Sequence, residues 1–207
     1  EAIEQTFNGS VGLGKRVSCQ ITRNGDLITK MFLKASVSSD GSADYVNNAG
    51  YALINSVELQ VGGTKIDKHY GLWLQIWHEL ARNSNHDNGL AAILTPPTAA
   101  GTTELFVPLQ FFCCRNDGLA LPLIALQYHD VRVEFEFANS IGGAATLEDA
   151  SLLVDYIYLD SEERKRFAQA SHEYLIEQFQ YSGAEAVSGS TGKYRLNFNH
   201  PCKELVW

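Results

Sequence analysis

Charge is scarce in this chain. Asp, Glu, Lys and Arg make up 19% of its 207 residues, below the roughly 25% of an average soluble domain. With a hydrophobic share of 45%, that composition excludes disorder, because there is ample apolar surface to bury. Positive charge is scarcer still. Sixteen Lys and Arg stand against 24 Asp and Glu, a formal charge of −8. A duplex-binding face needs a clustered excess of basic groups, so no direct nucleic-acid partner is expected. Nowhere do about 18 apolar residues run together, so no helix of this chain can span a bilayer. No signal-peptide pattern opens it, and it begins at Glu1 without a Met. It reads as a piece of something longer.

Cysteine is rare too. Cys19, Cys113, Cys114 and Cys202 form no Cys-x-x-Cys pair, and the two adjacent ones are poorly placed to bond each other. They read as buried reduced thiols acting as small hydrophobes, in a protein folded in a reducing compartment. Chemistry-bearing motifs are equally thin. Gly9-Ser10-Val11-Gly12-Leu13-Gly14-Lys15-Arg16 approaches a phosphate-binding loop, but Arg16 stands where a Ser or Thr must reach the magnesium ion. Nothing clearly β-like precedes it and a strand follows, so the helix N-terminus that would face a phosphate is missing. His69, His78, His86, His129, His172 and His200 lack the spacing of a metal site. Ser171, His172 and Glu173 are consecutive, and neighbours on a strand point to opposite faces. No catalytic, cofactor-binding or metal-binding residue is expected, and the chain is not read as an enzyme.

What the sequence does have is period-two alternation. Over 127–137, Val131, Val133, Phe135 and Phe137 share one face and Asp130, Arg132, Glu134 and Glu136 the other, the pattern of a strand with one dry side. Residues 27–37 place Leu27, Met31, Leu33, Ala35 and Val37 together, and before them Val17, Cys19 and Ile21 alternate with polar residues. Arg23-Asn24-Gly25-Asp26 joins these two strands. If the join is a hairpin, matching the apolar faces requires an odd loop, with Gly25 left-handed in a bulge. If it is a corner between facing sheets, parity imposes nothing. Further strands are expected over 52–61 and 64–70 about Gly62-Gly63, over 104–114 with Pro108 marking an edge or bulge, and over 150–159 as an inner strand. Others are expected over 174–181, 194–198 and 203–207. Many short strands between turn signals indicate an all-β sandwich or barrel.

Two helices interrupt it. Over 71–82, Trp73, Ile76, Trp77 and Leu80 make one apolar stripe, and the tryptophans read as core that caps the sandwich. Over 160–170, Asp160 and Glu163 have capping-box spacing with basic residues beyond, a solvated helix. Segments 38–50, 83–103 and 139–149 are expected to be irregular, and such long excursions are commonly functional. The tract 182–192 reads as a loop.

Several stretches in order resemble the major capsid protein of nucleocytoplasmic large DNA viruses, of the chlorovirus and iridovirus type. They are Ser18-Cys19-Gln20-Ile21-Thr22-Arg23-Asn24-Gly25-Asp26-Leu27-Ile28, Val57-Glu58-Leu59-Gln60-Val61-Gly62-Gly63, and Cys114-Arg115-Asn116. Leu121-Pro122-Leu123-Ile124-Ala125-Leu126-Gln127-Tyr128-His129, Val154-Asp155-Tyr156-Ile157-Tyr158-Leu159-Asp160 and His172-Glu173-Tyr174-Leu175-Ile176-Glu177-Gln178 continue the series, and Asn199-His200-Pro201 with Lys203-Glu204-Leu205-Val206-Trp207 closes it. Cys113 is a departure from the pattern, tolerated in a core. The resemblance implies a double jelly roll: an eight-stranded jelly-roll β-sandwich with short helices over 1–170, helix 160–170 bridging out of it, and over 171–207 the opening strands of a second. It also favours the corner at Asn24-Gly25.

The implied function is structural. As a major capsid protein the chain would form a homotrimer, the pseudo-hexagonal capsomer of an icosahedral shell over an internal membrane. It would be assembled in the host cytoplasm, with neighbouring capsomers and minor capsid proteins as partners and no cofactor. Asn8-Gly9-Ser10 makes Asn8 a candidate for a surface glycan. The 83–103 segment, stiffened by Pro96-Pro97, would serve trimer contacts or the outward crown, and trimming it should leave the core stable. A carbohydrate-binding β-sandwich module is the alternative, and it would need an exposed aromatic platform or an acidic calcium cluster. An enzyme on a cupin-like jelly roll would need converging His and carboxylate ligands.

Overall fold

A computed structural model describes residues 1–41, 45–46, 48–81, 87–96, 99–187, 189 and 191–207, apart from the side chains at 87 and 88. Two antiparallel sheets face each other across one apolar core. In the first, β1 (Ala2–Thr6), β9 (Thr146–Ile157), β3 (Leu27–Ser39) and β6 (Gly101–Pro108) lie side by side, with the two-residue β7 (Leu121–Pro122) on the end of β3. In the second, the order is β2 (Arg16–Gln20), β8 (Val131–Phe137), β4 (Ile54–Val61) and β5 (Thr64–Tyr70). The chain changes sheet between β1 and β2, between β2 and β3, and between β3 and β4. That winding, with the order β1-β9-β3-β6 against β2-β8-β4-β5, is a jelly roll.

Alternation builds the core as expected. Val131, Val133, Phe135 and Phe137 are buried from one side, and Met31, Leu33, Ala35 and Val37 from the other. Phe7 packs edge-on against Phe135 with ring centres 5.3 Å apart. β9 is an inner strand between β1 and β3, with Leu152 and Val154 fully buried. The 23–26 join is the corner, because β2 pairs with β8 while β3 pairs with β9 in the other sheet. Gly25 is needed there for space, not for a left-handed turn: a Cβ on it would lie 2.7 Å from Tyr156 Cβ. At the β4–β5 hairpin, by contrast, Gly62 and Gly63 are both left-handed, with φ of 59° and 78°, the backbone twist a tight hairpin needs.

Several expectations are corrected. The strand expected over 52–61 starts at Ile54, after a short helix α1 (Ala49–Leu53) that begins beyond left-handed Asn48. An apolar pair such as Ala52-Leu53 has no periodicity to distinguish the two states. β1 was not expected, since five residues with one buried position carry little signal. The strand expected over 104–114 starts earlier and ends at Pro108, on the edge of its sheet, and Phe112–Arg115 forms α4. Helix α2 (Gly71–Ala81) buries Leu74 fully and leaves Leu80 58% exposed, so its inner face is turned away from the expected stripe. Gly71 sets that rotation, seated where a Cβ would lie 2.2 Å from the Tyr51 carbonyl oxygen.

The irregular segment expected over 83–103 contains α3 (Asp87–Leu94) and the start of β6; residues 83–86, Pro97 and Thr98 lie outside the described residues. Leu94 is fully buried, so trimming that whole segment would open the core. Cys19 and Cys113 are buried, but Cys202 is exposed. Burial pushes the Cys19 thiol up to about 11, and a hydrogen bond with Cys114, then burial, raises Cys113 well above the ordinary thiol value. Both are unreactive thiols at neutral pH. The strands expected over 174–181, 194–198 and 203–207 are not formed: among the described residues, 170–207 contains no helix or strand. A strand exists only with a ladder partner, and these stretches have none.

Phe135→Ala should cost about 3–5 kcal/mol, as for other large aromatic truncations in a closed core. Urea unfolding would read this as a lower midpoint at unchanged slope. A loss under about 1 kcal/mol would mean the sheets do not close on that ring.

Candidate assembly surfaces

Two clusters fix how the chain leaves the sandwich. The first is the corner after β2. Tyr156, packed on Gly25, donates its hydroxyl to the Thr22 carbonyl at 2.7 Å. Gln5, buried in β1, accepts from the Thr22 hydroxyl at 2.7 Å. Arg23 reaches across and donates to the carbonyls of Leu123, Leu126 and His129, gathering the loop that precedes β8. A planar fork of five donors suits this task, and a lysine would satisfy fewer of those carbonyls. Buried Asp26 accepts from the Leu159 amide at 2.8 Å and pairs with Arg164 Nε at 3.0 Å. Asp26 thus ties the corner to helix α5 (Ser161–Gln169). Asp160 caps that helix, accepting from the Glu162 and Glu163 amides at 2.9 and 2.8 Å. No residue of α5 is buried, as the charge run suggested.

The second cluster lies at the edge strand β5. An edge presents unpaired backbone groups that a protein must cover. Here the segment 174–181 does so. The Phe179 amide donates to Asp67 Oδ1 at 3.0 Å, and Gln178 Nε2 donates to the Ile66 carbonyl. The Phe179 ring stacks on Trp73 at 4.3 Å and meets His69 edge-on at 6.2 Å. His69 is itself buried, stacked on Phe111 at 4.8 Å, with Nε2 2.8 Å from Asp67 Oδ2. Further along, Arg115 lies over the Trp77 ring at 4.9 Å and pairs with Glu177 at 3.0 Å, and Lys203 engages the same carboxylate. Trp73 and Trp77 are therefore half-buried docking surfaces, not the interior cap expected of them. A groove of about 400 Å³ remains between β5 and the segment, lined by Lys65, Lys68, Tyr70, Gln178, Tyr181 and Asn197 among others.

The weak motifs fall elsewhere. The 9–16 loop connects β1 to β2, so a strand follows where a phosphate loop needs a helix. His172 stacks on Phe167 at 5.3 Å, outside any relay with Ser171 and Glu173. Asn8 is exposed, and its backbone pairs with Ser18. Among the described residues no three His, Cys, Asp or Glu are grouped to hold a metal ion. Asp26, Asp67, His69 and Arg115 carried no chemical motif of their own. Only the fold brings Asp67 and Phe179 together across 112 positions.

Two outcomes follow from these clusters. Asp26→Ala should destabilise by about 1–3 kcal/mol, the cost of leaving buried partners unpaired, while Asp26→Asn should recover part of it; urea unfolding checks both. The Glu177 carboxyl is held below its ordinary range, first by the hydrogen bond from Lys203 and then by the nearby Arg115 charge. A depressed carboxylate contributes its stabilisation above the unfolded value and loses it as pH falls through the folded one. Amide protection of 174–181 should therefore drop on acidification below the ordinary carboxylate range, and Glu177→Gln should remove that step. A pH-independent profile in the parent chain would contradict this.

Known proteins supply the context. A family model for the major capsid protein N-terminus matches residues 1–160, and one for the large eukaryotic DNA virus major capsid protein matches 163–207. The chain is 52% identical to the major capsid protein of Pyramimonas orientalis virus, covering 100% of this chain and 55% of the relative. It is 42% identical to that of Paramecium bursaria Chlorella virus 1, over 100% of this chain and 52% of the relative. It overlays a chain of the PBCV-1 virus capsid with a TM-score of 0.88 at 40% identity, over 97% of this chain and 53% of that one. The chain thus spans about half the length of the curated relatives it matches. These relatives favour a shell protein over the carbohydrate-binding sandwich. With the two-sheet winding and the corner at Gly25, the matches place this chain in the major capsid protein family of large eukaryotic DNA viruses.

Proposed function

We propose that the protein is a structural, non-enzymatic building block of a large DNA virus shell: the subunit of a homotrimeric capsomer that tiles an icosahedral capsid. The observation that carries the reading is the jelly roll of β1-β9-β3-β6 against β2-β8-β4-β5, together with its likeness to a chain of the PBCV-1 capsid. A subunit of this kind works by holding shape, and a close-packed two-sheet core resists deformation. Its place is the virion, assembled in the host cytoplasm over an internal membrane, beside neighbouring capsomers and minor capsid proteins. Asn8, exposed between β1 and β2, is the glycan acceptor in this reading.

In the same proposal, residues 1–170 form the first jelly roll with α5 bridging out, and 171–207 supply opening strands of a second. Alternation over 174–181 and the exposure of Leu175, Tyr194, Leu196, Leu205 and Val206 support it, because such side chains are ordinarily covered. Light scattering on the full-length protein should give the mass of three subunits. A monomer at all accessible concentrations would overturn the capsomer assignment.

A further inference from the structure

Residues 174–181 rest on groups that the sandwich itself already holds. Asp67 Oδ1, which receives the Phe179 amide, also accepts from the Lys68 amide of its own strand at 2.9 Å. Asp67 Oδ2 stands 2.8 Å from Nε2 of His69, whose ring is stacked on core Phe111. Trp73, under the Phe179 ring, leans on Trp77 with ring centres 6.2 Å apart, and the Arg115 guanidinium that meets Glu177 lies over that same Trp77. A carboxylate, an indole face and a guanidinium are thus set in place by partners within the sandwich, none of them supplied by the segment they receive. The tether that delivers the segment is loose by comparison: α5 buries no residue, and Ser171 and Glu173 are exposed.

We propose that β5, α2 and Arg115 form a peptide-binding groove whose ligand class is an extended segment with a carboxylate two residues before a phenylalanine ring. Residues 174–181 are its resident occupant, held by non-covalent recognition, so that the same peptide in trans can replace them. That occupant is seen in place, whatever the oligomeric state of the protein. The contact is not ordinary edge pairing. No residue of 171–181 lies in a strand. The Phe179 amide goes to a carboxylate, and the Ile66 carbonyl is taken by the Gln178 side chain. Tyr174, Ile176 and Phe179 are half-buried, and the Tyr174 hydroxyl donates to the Ala120 carbonyl at 3.0 Å, while Leu175 between them is 88% exposed. A backbone ladder accepts almost any sequence, whereas receptors for particular side chains select one. Because the receptors are pre-set, binding does not have to order them, which favours capture of a free peptide.

The test uses the 207-residue chain with a specific protease sequence inserted between Ala170 and Ser171, and a dye on Cys202, the exposed cysteine. After cleavage the two parts should elute together, and an unlabelled peptide of sequence 171–182 should displace the labelled part saturably. A peptide carrying Phe179→Ala should need a concentration about tenfold higher or more, and a scrambled peptide should not compete. Glu177→Gln in the peptide should weaken competition against the parent sandwich but not against one carrying Arg115→Gln, the coupling expected of a direct pair. Separation of the parts on cleavage, a labelled part that no peptide displaces, or equal competition by the scrambled sequence would each overturn the groove. So would loss of the sandwich's unfolding transition on displacement, since the segment would then be core and not ligand.

Discussion

Everything in this structure depends on two faces of alternating apolar residues meeting across a single gap. Val133, Phe135 and Phe137 enter it from one sheet, and Leu33, Leu152 and Val154 from the other, each almost wholly removed from water. Fully burying side chains of this size contributes on the order of 1.5–3 kcal/mol each before conformational entropy is subtracted. That gain exists only if β2 and β3 lie in opposite sheets, which requires the chain to turn a corner over Tyr156. Gly25 makes the turn possible by having no Cβ, and Arg23 and Asp26 hold it by gathering loops that would otherwise leave backbone groups unpaired.

From that corner the consequences run outward. Asp26 fixes the start of α5, and Asp67 with Trp73 fixes Phe179, so the departing chain is fastened at two places on a rigid body. In the proposed role, such a component must keep the relative setting of its parts under load. Short polar fasteners on a close-packed sandwich accomplish this better than a flexible linker would. The same layout shows on the surface: the exit segment lies along the β5 edge, and both sheet faces carry charged side chains, with Phe32, Phe106 and Leu153 partly exposed among them on one.

Much of the sandwich was legible in the residues themselves. The period-two runs around Val131 and Leu33 located the central strands, Gly62-Gly63 located a hairpin, and Asp160 with Glu163 located a helix start. The resemblance to capsid proteins, more than the local pattern, chose the corner over the hairpin. What stayed hidden is physical in origin. α1 and α3 are too short for a full helical period to outweigh neighbouring turn residues, and the rotation of α2 is dictated by Gly71 pressed against the Tyr51 carbonyl. The contacts of Arg115, Asp67 and His69 join residues far apart in the chain, and no local spacing encodes them. Over 174–181 the alternation was real, but a ladder needs a second strand, and the side chains alone decide how that stretch lies here.

The most direct examination of this account is a set of cross-strand Hα–Hα and amide NOEs recorded on the isotope-labelled 207-residue chain. Connectivities are expected between β2 and β8, such as Cys19 with Val133, and between β3 and β9, such as Leu33 with Leu152, with none between β2 and β3. A ladder of NOEs joining β2 directly to β3 would mean the chain doubles back at Gly25 within one sheet, and the two-sheet body on which every surface depends would not exist.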